Sequence, residues 1–247
     1  MGAGMRIDPV VTDTDNSNDV ARISEDGKTW FLKRYRGEGA ISRRDTERDR
    51  LRLWRDKGFP VPRVVAKSLP REPGPHLVME WVEGVSLAGF LKDGARSIES
   101  RLGMLEAVIK CFHDRQEVNE GLEDFELIHS DPNTGNILVI EGGFFYIDLE
   151  SRVTRAYRDF NEALAVELAK FLRWAVRDLG RQYLDRVVSF VLDSYGRESL
   201  IIAALVDRVY RTPFQFVHRW RDRRKKAGRP GEVTKYDLAD AFHAKLA

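Results

Sequence analysis

Cysteine and long apolar runs are both scarce in this chain of 247 residues. The single cysteine, Cys111, rules out an internal disulfide bond and is typical of a reducing compartment, and its helical neighbours predict that it fills the core. The longest apolar runs, such as IIAALV, are much shorter than a membrane-spanning helix requires. The first residues, MGAGMRIDPVV, have no apolar stretch of signal-peptide length. We therefore expect a soluble, cytoplasmic protein without a transmembrane segment.

The chain also has almost no excess of positive over negative charge. The net charge is only +2 although 32% of the residues are charged, which argues against a dedicated nucleic-acid binder that depends on bulk electrostatics. The hydrophobic fraction of 43% is that of a globular protein, and the length allows one large domain or two small lobes.

Two regions of different periodicity divide the chain near residue 84. In residues 1–84, apolar and polar residues alternate as they do in strands, and one charged helix interrupts them. This pattern predicts five strands with a helix after the third. The strands are RIDPVV, DVARISED, TWFLKRY, RVVAKS and HLVMEWV, and the helix is AISRRDTERDRLRLWRDKG. Residues 85–247 have helical periodicity, interrupted by a small β-hairpin that comprises LIHSDPNTGNIL and GGFFYIDLE. The prediction is an α+β fold with a β-rich N-lobe and a larger helical C-lobe.

A lysine and a glutamate of the first lobe are placed to meet. Strand alternation puts Phe31 and Lys33 on one face of TWFLKRY. Glu47 lies on the same helical face as the apolar Leu51 and Trp54, which should point inward. An inward lysine paired with an inward glutamate can bind a nucleotide phosphate, although each residue alone is more typical of a solvated strand edge or helix surface.

The stretches LIHSDPNTGNIL and YIDLE carry the oxygen ligands that Mg²⁺ prefers. Asn136 and Asp148 each lie at the end of a strand-like run, and paired strands would bring them together. Asp131 would then be free to accept a proton from an attacking hydroxyl, while His129 is better suited to orienting the loop than to chemistry. The alternative is a turn-rich surface loop, which Asp, Pro, Asn, Thr and Gly also build.

Taken in order, FLKRY, Glu47, HSDPNTGN and IDLE resemble the protein-kinase-like superfamily over roughly residues 15–175. The resemblance implies that Lys33, held by Glu47, contacts the α- and β-phosphates of ATP. It implies that Asp131 is the catalytic base and that Asn136 and Asp148 bind Mg²⁺.

The same resemblance assigns the adenine site. The stretch MEWVEG would be the hinge between the lobes, with the backbone near Glu80, Trp81 and Val82 bonding adenine. Phe31 would lie over the adenine ring.

Several departures from protein kinases indicate a compact, atypical kinase that needs no activation. The turn before Lys33 is VTDTDNSNDV (residues 11–20) rather than a glycine-rich loop. Asn133 stands where Ser/Thr protein kinases carry lysine, and Leu149-Glu150 follow Asp148 in place of Phe-Gly. Only about ten residues separate Asp148 from the next predicted helix, which leaves no room for a regulated activation segment.

The acceptor is indicated by four stretches that look most like the bacterial lipopolysaccharide core kinases, which phosphorylate Kdo or heptose sugars: FLKRYRGEG, DRLRLWRDKGFPVPRVVA, IDLESRV and RDFNEALAVELAKFLRW. This resemblance implies a sugar or glycolipid hydroxyl as acceptor. HSDPNTGN is closer to small-molecule phosphotransferases and ubiquinone-biosynthesis kinase-like proteins. The alternatives are a small atypical Ser/Thr protein kinase of the RIO or tRNA-modification-complex type, a small-molecule kinase, and a nucleotide-binding pseudokinase scaffold.

A basic segment lies near the C-terminus. Residues 219–229, RWRDRRKKAGR, hold seven Arg or Lys and one Asp around Trp220. Such a segment can contact an anionic membrane or glycolipid head group at the inner membrane, or tRNA or another polyanion. A solvated tail or helix end is the alternative, and residues 232–247 predict a short terminal helix.

Overall fold

The computed structural model describes residues 5–9, 18–67, 69, 72, 74–154, 156–211, 215–226 and 232–247. The chain divides into two compact units. The first combines Met1–Val85 with Leu138–Arg152, and the second combines Ser86–Ile137 with Val153–Ala247. The division at Val85 lies next to the predicted boundary at residue 84, but segment 138–152, which the sequence placed in the helical lobe, belongs to the first unit.

A four-stranded antiparallel sheet forms the first unit, in the order β1 (Arg6–Pro9), β2 (Asn18–Glu25), β3 (Lys28–Tyr35) and β4 (His76–Glu80). Asp26 and Gly27 join β2 to β3, and both have positive φ angles, 48° and 73°. Asp-Gly is a favoured pair for such a tight hairpin because glycine adopts positive φ without steric cost. Alternation along β2, β3 and β4 gives the sheet one buried apolar face; its members include Ala21, Ile23, Leu32 and Val78.

The predicted fifth strand, in residues 63–68, is wrong for the part that the structure describes. Val64 makes a single isolated bridge to Met79. The pairing stops there because the chain turns, with the Lys67 amide donating to the Val65 carbonyl at 2.9 Å.

Helix α1 (Ala40–Asp56) explains why segment 138–152 joins the first unit. Trp54 on its buried face contacts the ring of Tyr146 edge-on, with centroids 5.5 Å apart. The Tyr146 amide donates to the Pro60 carbonyl at 2.8 Å, and Arg50 of α1 donates to the Leu149 carbonyl at 3.1 Å. These contacts between distant parts of the chain leave no local signal in the sequence.

A second sheet has three strands in the order β5 (Val85–Ser86), β6 (Ile137–Ile140) and β7 (Gly143–Tyr146). Strands β6 and β7 are the hairpin that the sequence predicts after the HSDPNTGN loop.

Helices make up most of the second unit, and they are α2 (Leu87–Lys92), α3 (Ile98–Glu120), α4 (Phe160–Leu179), α5 (Leu184–Tyr195), α6 (Leu200–Tyr210), α7 (Gln215–Lys226) and α8 (Lys235–Leu246). Phe112 of α3 stacks on Phe171 of α4 with ring centroids 4.9 Å apart. Cys111 is exposed, so the expectation that it fills the core is wrong: it lies about 100° around the helix from Phe112 and off the buried stripe. Across the described ranges, we find no helix of the length and apolarity needed to cross a membrane.

A buried ion pair joins α3, α4 and the loop that follows α3. Arg115 and Glu167 are both buried, and their charged groups lie 2.8 Å apart. Arg115 also donates to the Leu127 carbonyl at 2.6 Å, and Gln116 donates to the second carboxylate oxygen of Glu167 at 2.8 Å. The backbone amide of His129 donates to Glu167 as well. One carboxylate thus fixes the start of the HSDPNTGN loop.

We predict that Glu167→Ala lowers the free energy of unfolding by about 3–5 kcal/mol, because it leaves the buried Arg115 guanidinium without its counter-ion. Urea unfolding followed by circular dichroism measures this change. The matched control, Glu106→Ala, removes an exposed carboxylate from α3 and should change stability by less than about 0.5 kcal/mol. A loss below about 1 kcal/mol in Glu167→Ala would contradict the importance of this pair.

Candidate active site

The ammonium of Lys33 lies among three carboxylates of the first unit. Its Nζ atom is 2.7 Å from Glu47 Oε2, 2.6 Å from Asp148 Oδ1 and 3.1 Å from Glu150 Oε2. Lys33 itself is only 6% exposed. Three carboxylates around one ammonium leave an excess of negative charge, and such a group attracts a further cation.

Strand and helix periodicity bring Lys33 and Glu47 together. Lys33 follows Leu32 on β3 and therefore points away from the apolar core of the sheet, while Glu47 lies on the buried face of α1. The Tyr35 hydroxyl, two residues along the same strand face, donates to Glu47 Oε2 at 2.5 Å. Glu47 is thus held by two donors from one strand.

Lys33 remains a cation despite its burial. Burial alone lowers the pKa of an ammonium, but the negative charges of Glu47, Asp148 and Glu150 outweigh it and raise the pKa of Lys33 above its ordinary value. A lysine with a raised pKa serves as a fixed positive charge and is a poor proton acceptor or nucleophile near neutral pH.

Burial raises the pKa of the two acidic groups beside Lys33, whereas it lowers the pKa of an ammonium. It raises the pKa of Glu47, and the nearby charge of Lys33 partly offsets this rise. Burial also raises the pKa of Tyr35, with the negative charge of Glu47 adding to the effect. Tyr35 therefore stays neutral and keeps the proton with which it binds Glu47.

Asp148 differs from Glu47 in being accessible. Its side chain is 37% exposed, and its φ angle of 65° lies in the left-handed region, which costs a non-glycine residue roughly 1–2 kcal/mol. Arg50 holds the following backbone by donating to the carbonyls of Leu149 and Ser151. A strained, accessible carboxylate held by its neighbours is typical of a ligand-binding position.

Glu150 is a member of this cluster that sequence reasoning missed. The Glu150 carboxylate contacts Lys33 and also accepts a hydrogen bond from Asn18 Nδ2 at 2.6 Å. It lies 3.4 Å from Arg43 Nη1. The signal that could have found it is its position two residues after Asp148 in IDLE.

The HSDPNTGN loop, in the second unit, presents the Asp131 carboxylate at the surface. The backbone amide of Asp131 donates a hydrogen bond to Nδ1 of the buried His129 at 3.2 Å, and this bond orients the loop. Asn133 donates to Asp131 Oδ2 at 2.8 Å, and Asn136 donates to the Asp131 carbonyl at 3.0 Å. The structure thus brings Asp131, His129 and Asn136 together.

A second buried carboxylate holds the other end of this loop. The hydroxyl of Thr134, which is buried, donates to Asp178 on α4. The Asp178 carboxylate is fully buried and lies 3.1 Å from Lys92 Nζ and 3.0 Å from Arg177 Nη2. The 3₁₀ turn that leads to Asn136 is therefore fixed to α4, just as Glu167 fixes the start of the loop.

The residues expected at the adenine position also lie in the first unit. The rings of Phe31 and Trp81 are tilted, with centroids 6.3 Å apart, and the Trp81 indole donates to Glu83 at 2.7 Å. The Glu80 amide donates to the Arg63 carbonyl at 2.9 Å, and Val82 lies just after β4, outside any helix or strand. The loop expected to take the place of the glycine-rich turn, residues 11–20, lies mainly outside the described residues.

The acidic cluster suits a hard divalent cation. One oxygen from each of Glu47, Asp148 and Glu150 lies within 4.8 Å of the others. Mg²⁺ prefers such oxygen ligands and is usually held by one or two side chains together with phosphate oxygens. Asp148 is the most accessible of the three and therefore the best placed to bind it.

The pairing of Lys33 with Glu47 generates a stability prediction. Lys33→Met leaves a buried carboxylate without its cation and should lower the free energy of unfolding by about 3–5 kcal/mol. Replacing both groups, as Lys33→Met with Glu47→Leu, removes the uncompensated charge and should restore at least half of the loss. Urea unfolding measures both effects, and Lys110→Met, on the exposed surface of α3, is the control. A double variant no more stable than Lys33→Met would contradict the coupling.

The loss of folding stability in Lys33→Met should also depend on pH. Without the lysine, the pKa of Glu47, already raised by burial, rises further in the folded state. A carboxyl group whose folded pKa exceeds its unfolded pKa stabilises the protein as pH falls through the folded pKa. The variant should therefore be closer to wild type at pH 5 than at pH 8, and an equal loss at both values would contradict this explanation.

Comparison with known proteins gives a family match and similar solved structures. The sequence profile described as the phosphotransferase enzyme family (APH) matches residues 11–126. A solved structure described as WaaP in complex with acyl carrier protein has the same fold, with a TM-score of 0.50 and 15% sequence identity over 98% of this chain and 89% of that chain. None of the curated proteins matches the sequence significantly. These similarities confirm the predicted protein-kinase-like fold and support an enzyme of the kinase-like phosphotransferase class.

Proposed function

We propose that this protein transfers the γ-phosphoryl group of ATP, with Mg²⁺, to a hydroxyl group. The observation that carries the proposal is the buried Lys33 ammonium, held within 2.7 Å of both Glu47 and Asp148. A lysine fixed by a buried glutamate beside an accessible aspartate is the arrangement that binds nucleotide phosphates in kinases. The match to the phosphotransferase family over residues 11–126 supports the same reaction.

In this proposal the first unit binds the nucleotide. Lys33 contacts the α- and β-phosphates, because its raised pKa keeps it charged at every physiological pH. Glu47 and Tyr35 fix the position of Lys33 without contacting ATP themselves. The base lies against Phe31 and bonds the backbone near Glu80, Trp81 and Val82.

Asp148 and Asn136 are the proposed Mg²⁺ ligands, and both supply the oxygen atoms that this ion prefers. Bound Mg²⁺ would neutralise negative charge on the phosphates. Glu150 strengthens the negative field around Asp148, and Arg43 and Asn18 hold it in place.

Asp131 is the proposed base. As the acceptor oxygen forms its bond to the γ-phosphorus, the bond from that phosphorus to the β,γ-bridging oxygen breaks and ADP leaves. The hydroxyl proton passes to the Asp131 carboxylate, which the loop presents at the surface. His129 and Asn136 hold the Asp131 backbone in place. Positioning and charge neutralisation supply most of the acceleration in such reactions.

The proposed acceptor is a sugar hydroxyl of a lipopolysaccharide or related glycolipid. It rests on the similarity of FLKRYRGEG, IDLESRV and the two longer stretches to the lipopolysaccharide core kinases. An acceptor of this kind would place the protein in the cytoplasm at the inner face of the membrane, where the basic segment 219–229 could contact it. The structural similarity to WaaP supports the fold and adds nothing about the acceptor.

The acceptor is identified by incubating the protein with γ-labelled ATP, Mg²⁺ and a lysate of the source cells, followed by separation of glycolipid and protein fractions. We expect label in the glycolipid fraction. Label confined to protein bands would overturn the glycolipid acceptor in favour of a small atypical protein kinase. Binding of ATP without any transfer would overturn the reaction itself.

In the same assay Asp131→Asn should lower the transfer rate by roughly 10²- to 10⁴-fold, the usual contribution of a general base, with ATP affinity unchanged. Asp193→Asn, an exposed aspartate of α5, is the matched control and should keep the wild-type rate. Asp148→Asn should instead weaken the Mg²⁺-dependent binding of ATP. An unchanged rate in Asp131→Asn would show that the loop has been misassigned.

A further inference from the structure

Helix α7 carries an exposed apolar face. Phe216, Val217 and Trp220 are 73%, 45% and 57% exposed. Residues at i, i+1 and i+4 lie within about 100° of one another around an α-helix, so the three side chains form one continuous patch. Large apolar side chains grouped in this way on a surface usually mark a binding site.

A different face of α7 fixes the helix to the second unit. The Arg219 guanidinium binds Asp240 of α8 through two nitrogens, at 2.5 and 2.9 Å. The Tyr210 hydroxyl of α6 donates to the same carboxylate at 2.7 Å, and the Tyr236 ring lies 4.9 Å from the guanidinium. The apolar patch is therefore presented from an anchored helix.

Positive charge is concentrated on the same helix. Residues 215–226 contain six Arg or Lys and one Asp, although the whole chain has a net charge of only +2. The Arg224 guanidinium lies 4.7 Å from the Trp220 ring, and Arg221 is also exposed. Cationic and apolar groups are thus interleaved on one surface.

We propose that the face of α7 formed by Phe216, Val217, Trp220, Arg221 and Arg224 docks on a bilayer that contains anionic phospholipids. An amphipathic helix in the plane of an interface buries its apolar side chains at the boundary of head groups and acyl chains, and its Arg and Lys contact lipid phosphates. Tryptophan is favoured at this depth because its ring is apolar and its N–H is polar.

The apolar residues favour a lipid surface over a nucleic acid. Single-stranded nucleic acid could stack on Trp220 and Phe216 and bind the arginines, but it offers no apolar region for Val217. A lipid surface accepts all three side chains and the arginines together. The patch begins at Phe216, before the basic segment 219–229 that the sequence indicates.

Sedimentation with vesicles tests this inference on the full chain. We expect vesicles with roughly one third phosphatidylglycerol to bind the protein at least about tenfold more strongly than pure phosphatidylcholine vesicles. The variant Phe216→Ser/Val217→Ser/Trp220→Ser should bind the anionic vesicles at least about tenfold more weakly. Val118→Ser/Leu122→Ser, which removes two equally exposed apolar side chains elsewhere, is the matched control and should bind as wild type does.

Tryptophan fluorescence gives a second readout that identifies the residue involved. Anionic vesicles should shift the emission of the wild type to the blue, and Trp220→Phe should abolish the shift while the other four tryptophans remain. Equal binding by the triple variant, equal binding to neutral and anionic vesicles, or binding to tRNA without binding to vesicles would each overturn the proposal. Because vesicle binding needs no phosphoryl transfer, its failure would leave the proposed reaction untouched, and failure of the reaction would leave the docking surface untouched.

Discussion

The interaction on which the first unit depends is the burial of one ammonium among carboxylates. Removing Lys33 from water is unfavourable, and the cost is offset because Glu47, Asp148 and Glu150 all lie within 3.1 Å of its Nζ atom. The arrangement requires β3, α1 and the segment after β7 to meet at one place. The cluster holds the Lys33 ammonium in one position, and a cation held in place is the form of preorganisation that the proposed phosphoryl transfer would use.

In the second unit, buried charged groups likewise hold a loop in place. Two buried carboxylates, Glu167 and Asp178, hold the two ends of the HSDPNTGN segment, one through the His129 amide and the other through the Thr134 hydroxyl. Both carboxylates are themselves compensated by basic side chains, so neither is an isolated buried charge. The Asp131 carboxylate is consequently exposed on a loop whose backbone is fixed, which suits the proton-accepting role proposed for it.

Local periodicity accounts for what could be predicted. The pairing of Lys33 with Glu47 follows from a two-residue strand repeat and a helical stripe, and both can be read from a few neighbouring residues. Other features could not be predicted because they depend on long-range packing. The contact of Trp54 with Tyr146 helps to place segment 138–152 in the first unit, and no short sequence pattern indicates this contact. The sequence indicates the basic segment 219–229 as a candidate contact for a polyanion, with a solvated tail or helix end as the alternative, but it does not predict helix α7, because this mostly charged stretch shows no apolar stripe for a core. The helix points its apolar residues outward instead.

The most direct test of the Lys33 cluster as a nucleotide-phosphate site is titration calorimetry of ATP with Mg²⁺ binding to the wild type and to Lys33→Met/Glu47→Leu. The double variant is the right comparison because it removes the phosphate-binding cation without leaving an uncompensated buried charge. A charged hydrogen bond to phosphate contributes about 1.5–3 kcal/mol, so we expect the variant to bind ATP roughly 10- to 100-fold more weakly. Equal affinity in the two proteins would contradict the assignment of the Lys33 cluster as the nucleotide-phosphate site.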